Sequence, residues 1–263
     1  MSATLSSEDR GFTLGDGVFD TALVLDGRML ARERHVGRLM AATDVIGIEV
    51  ARGAVESAID AALTGAPMIL RTTVTRGIAA RGLWPASTGA PTVVTATAPW
   101  SPALIGQPAR LITATGRRNE FSPTANLKTL GYLDHILAAR EAAQAGVDDA
   151  LILNTRGNVA CATIGNVVAV IGDALVTPAL HEGCLPGIVR TLLIEAAPAL
   201  GLAVEERALA PRELADARAV FLTNSVRLIR PVTALDGAEL ARAPDIEAAL
   251  LAALRAALGM PKA

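Results

Sequence analysis

The chain has 263 residues, 51% hydrophobic but only 3% aromatic, with a formal net charge of −2 and an isoelectric point near 6.0. Its cores must therefore be built from Ala, Leu, Val and Ile. The balanced charge excludes the basic surface that a nucleic-acid binder needs. Two cysteines, Cys161 and Cys184, give no disulfide framework and fit a reducing, cytoplasmic setting. His35, His135 and His181 are too dispersed to suggest a metal site.

In chain order, the first ten residues, MSATLSSEDR, carry no apolar run of the kind a secretory signal has. Thr21 to Leu25 is apolar and runs into Asp26-Gly27, a hairpin turn signal. In ERHVGRLMAATDVIGI, residues Val36, Leu39, Met40, Thr43 and Ile46 fall on one helical face. VESAIDAAL predicts a second, short helix. MILRTTVTRG and APTVVTATAP predict strands on either side of a glycine-rich loop, Gly77 to Gly82. The uncharged stretch Gly82 to Ala109 is long enough to span a membrane. Its prolines at 85, 91, 99, 102 and 108 forbid one helix, so it predicts a strand and a linker and no membrane partner.

That linker divides the chain into a smaller N-terminal α/β domain, 1–104, and a larger C-terminal domain, 105–263. The second half predicts a strand at Ala109 to Thr115, a helix at 129–145 and a strand at Asp149 to Asn154. The turn TRGN leads to apolar strands in VACATIGNVVAVIG and ALVTP. The loop HEGCLPG precedes a helix over 188–200. RAVFLTNSVRLIRPVTAL predicts a further strand, and a last helix starts at Asp245. Mixed strands and helices in both halves imply an α+β fold rather than a regular βαβ array.

One lysine stands out. Of 24 Lys and Arg residues only Lys128 and Lys262 are lysines, and Lys262 is the penultimate residue. Lys128 sits in SPTANLKTLGYLDH, with no acid between Glu120 and Asp134. An apolar setting lowers a lysine pKa, and the neutral amine then attacks carbonyls, which a guanidinium does not do. In EGCLPGIVRTLLIEAA, Gly183, Pro186 and Gly187 lead into an amphipathic helix whose first N–H groups make an anion site. In HVGRLMAA, the fork of Arg38 matches a phosphate.

Together, GFTLGDGVFDT, HVGRLMAA, TRGIAARG, RRNEFSPTANLKTLGYLDHILAAREAAQAGVDDALIL, GNVACATIGNVV, GCLPGIVR and FLTNSVRLIRPV resemble the class IV aminotransferases. These are pyridoxal 5'-phosphate enzymes of fold type IV, and the likeness covers nearly the whole chain. The resemblance implies two α/β domains with the cofactor between them, in the D-amino-acid aminotransferase-like arrangement. It also implies a homodimer whose subunits complete each other's sites. Lys128 would bind the cofactor covalently. Arg38, the N–H groups of Ile188 and Val189, and the hydroxyl of Thr223 or Ser225 would take its phosphate. Arg81 and Phe19 would face the substrate, Arg81 from the partner subunit.

The likeness is incomplete in three places. Cys161 stands where the family has a glutamate for the pyridine nitrogen, and no acid occurs between Asp149 and Asp173. Only eight residues precede Asp9, so shortened N-terminal strands are expected. Leu83 stands where the D-amino-acid enzymes have a histidine, and Phe19 where they have a tyrosine. The leading expectation is a transaminase that uses an amino acid or related amine and a 2-oxo acid. The alternative is a 4-amino-4-deoxychorismate lyase that releases pyruvate and 4-aminobenzoate. A third is a pyridoxal-phosphate-binding protein with weak catalysis because of Cys161.

Overall fold

The structure, a computed structural model, describes residues 5–84 and 89–260. Lys262 and Pro85 lie outside the described residues. The chain separates into two compact units. The first runs to Ser101 and also takes Leu127–Gly131; the second holds Pro102–Asn126 and the chain from Tyr132 onward.

In the first unit, α1 (Arg10–Leu14) is capped by Asp9, whose side chain accepts from the Gly11 N–H. Then come β1 (Gly17–Leu25), β2 (Arg28–Met29), α2 (Arg32–Val45), α3 (Arg52–Ala62), β3 (Met68–Thr75) and β4 (Thr92–Pro99). The strands form an antiparallel sheet in the order β2-β1-β3-β4. The expected turn joins β1 to β2. Asp26 and Gly27 both have positive φ, 51° and 71°, as a two-residue hairpin turn of the right twist requires. β1 starts four residues earlier than its apolar run, because Gly17–Asp20 pair with β3 through backbone bonds. Alternation puts Val18, Ala22 and Val24 on one face with Met68, Leu70 and Val74. That face buries Val36 and Leu39 of α2 and Val55 and Ile59 of α3.

Leu127–Gly131 joins this unit through β1. The Phe19 N–H donates to the Lys128 carbonyl at 2.8 Å and the Leu130 N–H to the Gly17 carbonyl at 3.0 Å. Val18 and Thr129 form an antiparallel bridge. These bonds explain two differences from the sequence expectation. Lys128 packs with the first unit although it lies beyond residue 105, and the helix expected from 129 begins only at Leu133. Residues that bond to a strand have no amides left for a helix.

The second unit holds β5 (Ala109–Arg118), α4 (Leu133–Gln144), β6 (Asp149–Asn154), β7 (Val159–Ala162), β8 (Asn166–Ile171) and β9 (Ala174–Pro178). These are followed by α5 (Ile188–Ala196), β10 (Ala203–Arg207), β11 (Ala219–Asn224), β12 (Leu228–Leu235), β13 (Ala238–Glu239) and α6 (Pro244–Leu258). Its strands run in the order β10-β9-β8-β11-β12-β5-β6-β7, with β13 beside β12. Parallel pairs (β9 with β10, β5 with β12 and β6) mix with antiparallel ones. This is the α+β organisation that the sequence implied. The segment expected as one strand over 218–235 is two strands. Asn224 Oδ1 accepts from the N–H groups of Val226 and Arg227, and this Asn turn reverses the chain. Among the described residues no helix is long and apolar enough to cross a membrane.

Candidate active site

In the first unit, Lys128 lies over an aromatic ring. Its Nζ is 4.2 Å from the centroid of Phe19, and the Arg71 guanidinium carbon is 3.5 Å from the same centroid. Phe19 is itself buried. Arg71 was not singled out from the sequence. β-pairing places it opposite Thr21, one diagonal step from Phe19, so the alternation of β3 was the available signal.

Asp20 on β1 is buried beneath α2. Its Oδ2 accepts from Arg38 Nε at 2.9 Å and Nη2 at 2.8 Å, and its Oδ1 lies 2.6 Å from His35 Nδ1. His35 and Arg38 are three apart on the helix, so both reach one carboxylate. Burial pushes the Asp20 carboxyl up, but Arg38 and His35 outweigh it and hold the acid below its ordinary range. Sequence reasoning missed Asp20 as well. Its signal was an acid in register with Val18, Ala22 and Val24 on a core-facing strand, which demands a cationic partner.

Burial sets the state of Lys128 first, and the Arg38 charge adds to it. Asp20 opposes both, Arg71 adds a little, and the result is a pKa lowered to about 8. At neutral pH a sizeable minority of this amine is unprotonated, which a surface lysine does not achieve.

Arg81 lies on the exposed loop after β3. The next two residues, Gly82 and Leu83, give their carbonyls to Arg10, each at 2.7 Å.

In the second unit a different group assembles. α5 begins at Ile188 and no side chain caps it. A Cβ on Gly187 would sit 1.9 Å from Asn166 Oδ1, so any larger residue would push the Asn166 side chain from its place. Asn166 in turn donates to the Leu185 carbonyl at 2.8 Å and pairs across the sheet with Thr223. Thr223 Oγ1 is buried with no hydrogen-bond partner. An unsatisfied buried hydroxyl costs about 1–3 kcal/mol. Beside an uncapped helix start, it fits the oxygens of a phosphate. Ser225 lies in the Asn224 turn, partly exposed. Arg190, one turn along at most, is committed elsewhere: it is buried and bonds Glu206 at 2.6 Å and the Pro178 carbonyl at 2.8 Å.

Cys161 belongs to the core under α4, with Ala114, Ala138, Ala142, Ala150, Ile152 and Ala160. Burial pushes its thiol up to about 12, against a partial offset from Arg118. It is a neutral, weak donor across the physiological range.

Each group has its own chemistry: the perturbed amine of the first unit suits an aldehyde, and the uncapped helix start and orphaned hydroxyl of the second suit a phosphate. Cys161, which the resemblance alone sets at the pyridine nitrogen, is a neutral thiol in the core under α4.

Comparison with known proteins identifies a family. A family model described as Amino-transferase class IV matches residues 17–235. A putative branched-chain-amino-acid aminotransferase of Methanocaldococcus jannaschii is 32% identical over 244 residues, covering 89% of this chain and 84% of the relative. A bifunctional aminodeoxychorismate lyase / D-amino acid transaminase of Mycobacterium tuberculosis is 30% identical over 276 residues, covering 92% and 90%. Among solved structures, a putative 4-amino-4-deoxychorismate lyase of Legionella pneumophila superposes with a TM-score of 0.86 at 31% identity, covering 98% of this chain and 96% of the other.

Proposed function

Because the chain belongs to the class IV aminotransferases, a pyridoxal-phosphate-dependent family, we propose that it is a transaminase. It moves an amino group between an amino acid or related amine and a 2-oxo acid, and it works as a homodimer in which the Arg81 loop serves the partner's site. The observation that carries this reading is Lys128, the one lysine among the described residues, partly buried on Phe19 with its pKa lowered to about 8 by burial and Arg38.

When bound, pyridoxal phosphate supplies a carbonyl and an electron-withdrawing ring. Lys128 Nζ binds that group and is the base that takes a proton from the substrate α-carbon and returns it. A pKa of about 8 suits both duties, since the amine accepts a proton readily and releases it near neutrality. Arg38, oriented by Asp20, takes the phosphate charge together with the N–H groups of Ile188 and Val189. The Thr223 hydroxyl gains the partner it lacks, with Ser225 beside it in the next turn. Arg71 offers a substrate carboxylate a cation next to Lys128, and Arg81 offers a second one from its loop. Phe19 gives Lys128 and Arg71 a common platform.

A second reading, 4-amino-4-deoxychorismate lyase, is favoured by the Legionella pneumophila neighbour and by the bifunctional Mycobacterium tuberculosis relative. Purified protein loaded with pyridoxal phosphate is offered a panel of amino acids with 2-oxoglutarate or pyruvate, and aminodeoxychorismate separately. Turnover that depends on a 2-oxo acid is expected. Release of pyruvate and 4-aminobenzoate without such turnover replaces the transaminase by the lyase. A cofactor spectrum with neither activity leaves only a binding protein, the outcome in which the neutral Cys161 thiol is limiting.

A further inference from the structure

The segment from Asp9 to Asp16 holds none of the residues assigned above to cofactor or substrate, yet its side chains are densely bonded to the Arg81 loop and its flanks. Asp9 Oδ1 accepts from the Gly11 N–H at 2.7 Å, and its Oδ2 accepts from the hydroxyls of Thr75 at 2.9 Å and Thr92 at 2.7 Å. The Arg10 N–H donates to the Gly77 carbonyl at 3.0 Å, and Asp9 bridges Ile78. The base of the Arg81 loop is thus tied to the N-terminal segment.

The side chain of Arg10 then reaches further along that loop. It is buried. Its Nε donates to Asp16 Oδ2 at 2.8 Å, while Nη1 and Nη2 donate to the carbonyls of Gly82 and Leu83, each at 2.7 Å. Arg76 grips the same carboxylate from Nε at 2.8 Å and Nη2 at 3.1 Å. It also bonds the carbonyls of Ile46 and Gly47 behind α2, and its guanidinium carbon lies 5.2 Å from the Trp84 ring centroid. Burial pushes the Asp16 carboxyl up, but Arg76 and Arg10 outweigh it and keep the acid below its ordinary range.

A loop of Gly, Ile, Ala, Ala, Arg and Gly has few contacts of its own to fix it. One guanidinium fork that takes two successive carbonyls fixes the Gly82–Leu83 and Leu83–Trp84 peptide planes, which start one residue beyond Arg81. A planar fork does this, and a point charge on a flexible stem does not.

We infer that Arg10, anchored by Asp16, is a positioning residue for Arg81: it sets where the loop arginine stands to receive the substrate carboxylate. The inference rests on the proposed role of Arg81 in substrate binding. It makes Arg10 a determinant of affinity for carboxylate substrates without contact to substrate.

The test uses the pyridoxal-phosphate-loaded full chain and four forms: wild type, Arg10→Lys, Arg81→Ala and the double variant. Arg10→Lys keeps a charge for Asp16 and avoids the unpaired carboxylate that would threaten folding in Arg10→Ala. Two quantities are read, the KM for 2-oxoglutarate and hydrogen exchange of the amides around residues 78–84. Arg10→Lys is expected to raise KM about 5- to 20-fold with kcat within about twofold, since a misplaced binding group costs affinity before chemistry. Its loop amides exchange faster, cofactor binding is unchanged, and the double variant is no worse than Arg81→Ala alone.

An unchanged KM in Arg10→Lys beside a raised KM in Arg81→Ala overturns the inference, and so does a double variant in which the two losses multiply. A normal KM in Arg81→Ala removes the role of Arg81 and the inference with it. The exchange measurement needs no turnover. Unchanged loop exchange in Arg10→Lys overturns the bracket even if no 2-oxo acid is turned over. Faster exchange in a protein without such turnover keeps the bracket and sinks the transaminase reading.

Discussion

The surroundings of Lys128 and those of the α5 start solve opposite problems. Around Lys128 the first unit gathers charge in Asp20, Arg38 and Arg71, with Asp20 shared by Arg38 and the His35 ring. Around the α5 start the second unit gathers neutral donors, an uncapped helix and a buried hydroxyl without a partner. The charged group is internally paired, so it holds its shape before anything binds. The neutral group keeps open donors, which suit an anion. A reactive amine needs a fixed electrostatic setting, whereas an anion cradle loses nothing by waiting for its anion.

The largest test of this contrast is Lys128 itself. Lys128→Arg keeps the positive charge but cannot lose its proton, so borohydride-reducible attachment of pyridoxal phosphate should vanish and turnover should fall by about 10³-fold or more. In the wild type, attachment should follow the free amine. That fraction rises from about a tenth at pH 7 to about nine tenths at pH 9 for a pKa near 8. A profile still climbing about tenfold per pH unit at pH 9 would show an amine that burial and Arg38 do not perturb. The linkage has a definite sign. The folded pKa lies below the ordinary lysine value of 10.5, so the unfolded chain binds more protons between about pH 8 and 10.5. Without cofactor, stability due to this group should climb with pH across that window. Lys128→Met should stabilise the protein at pH 7 and lose that advantage by pH 10.5, which thermal melts at the two pH values will show.

Next in size is the ion pair. Arg38→Ala leaves the buried Asp20 with His35 alone, and removing one partner of a buried pair costs about 3 kcal/mol. Chemical denaturation should show that loss. Cofactor affinity should fall as well, by about 1.5–3 kcal/mol, the size of a charge-assisted bond. Asp20→Asn should restore part of the stability to Arg38→Ala, because no charge is then stranded.

Thr223→Val should act with opposite signs in the two states. It removes an unsatisfied hydroxyl, so the cofactor-free protein should hold its stability or gain about 1 kcal/mol. Affinity for pyridoxal phosphate should nonetheless drop about 5- to 10-fold, the size of one neutral hydrogen bond. Loss of stability without loss of affinity would mean that the α5 region is complete as it stands.

The smallest expected effect concerns Cys161. Its thiol, pushed up to about 12 and buried, should stay unalkylated by iodoacetamide in the folded protein up to about pH 10. Cys161→Glu must add volume among the small side chains under α4 and should lose about 1–3 kcal/mol by overpacking. Rapid labelling of the native protein would place Cys161 in an open cavity.

Much of this was legible in the sequence, for reasons that differ by residue. The Asp26-Gly27 hairpin and the α2 face were carried by local periodicity and turn chemistry. Lys128 stood out by residue type alone, and the α5 entry by its glycines. What failed was non-local. KTLGY looks like the first turn of a helix until β1 claims its amides. Asn224 bends a run that reads as one strand. Arg71 and Asp20 acquire meaning only once β1 and β3 are in register, and an orphaned hydroxyl such as Thr223 has no signature in one dimension.

The short excursion of Leu127–Gly131 into the first unit bears on how the chain is made. On the ribosome the first hundred residues emerge well before the segment that completes the first half of β1. Until then that edge carries unpaired N–H and C=O groups, and the sheet is open to another nascent chain. The first unit therefore cannot close as it is synthesised. It has to wait for Lys128, so the residue that defines the chemistry arrives with the strand segment that ends the exposure. A truncated message ending near Ser101 should give an aggregation-prone product, and one extending past Gly131 a more soluble one.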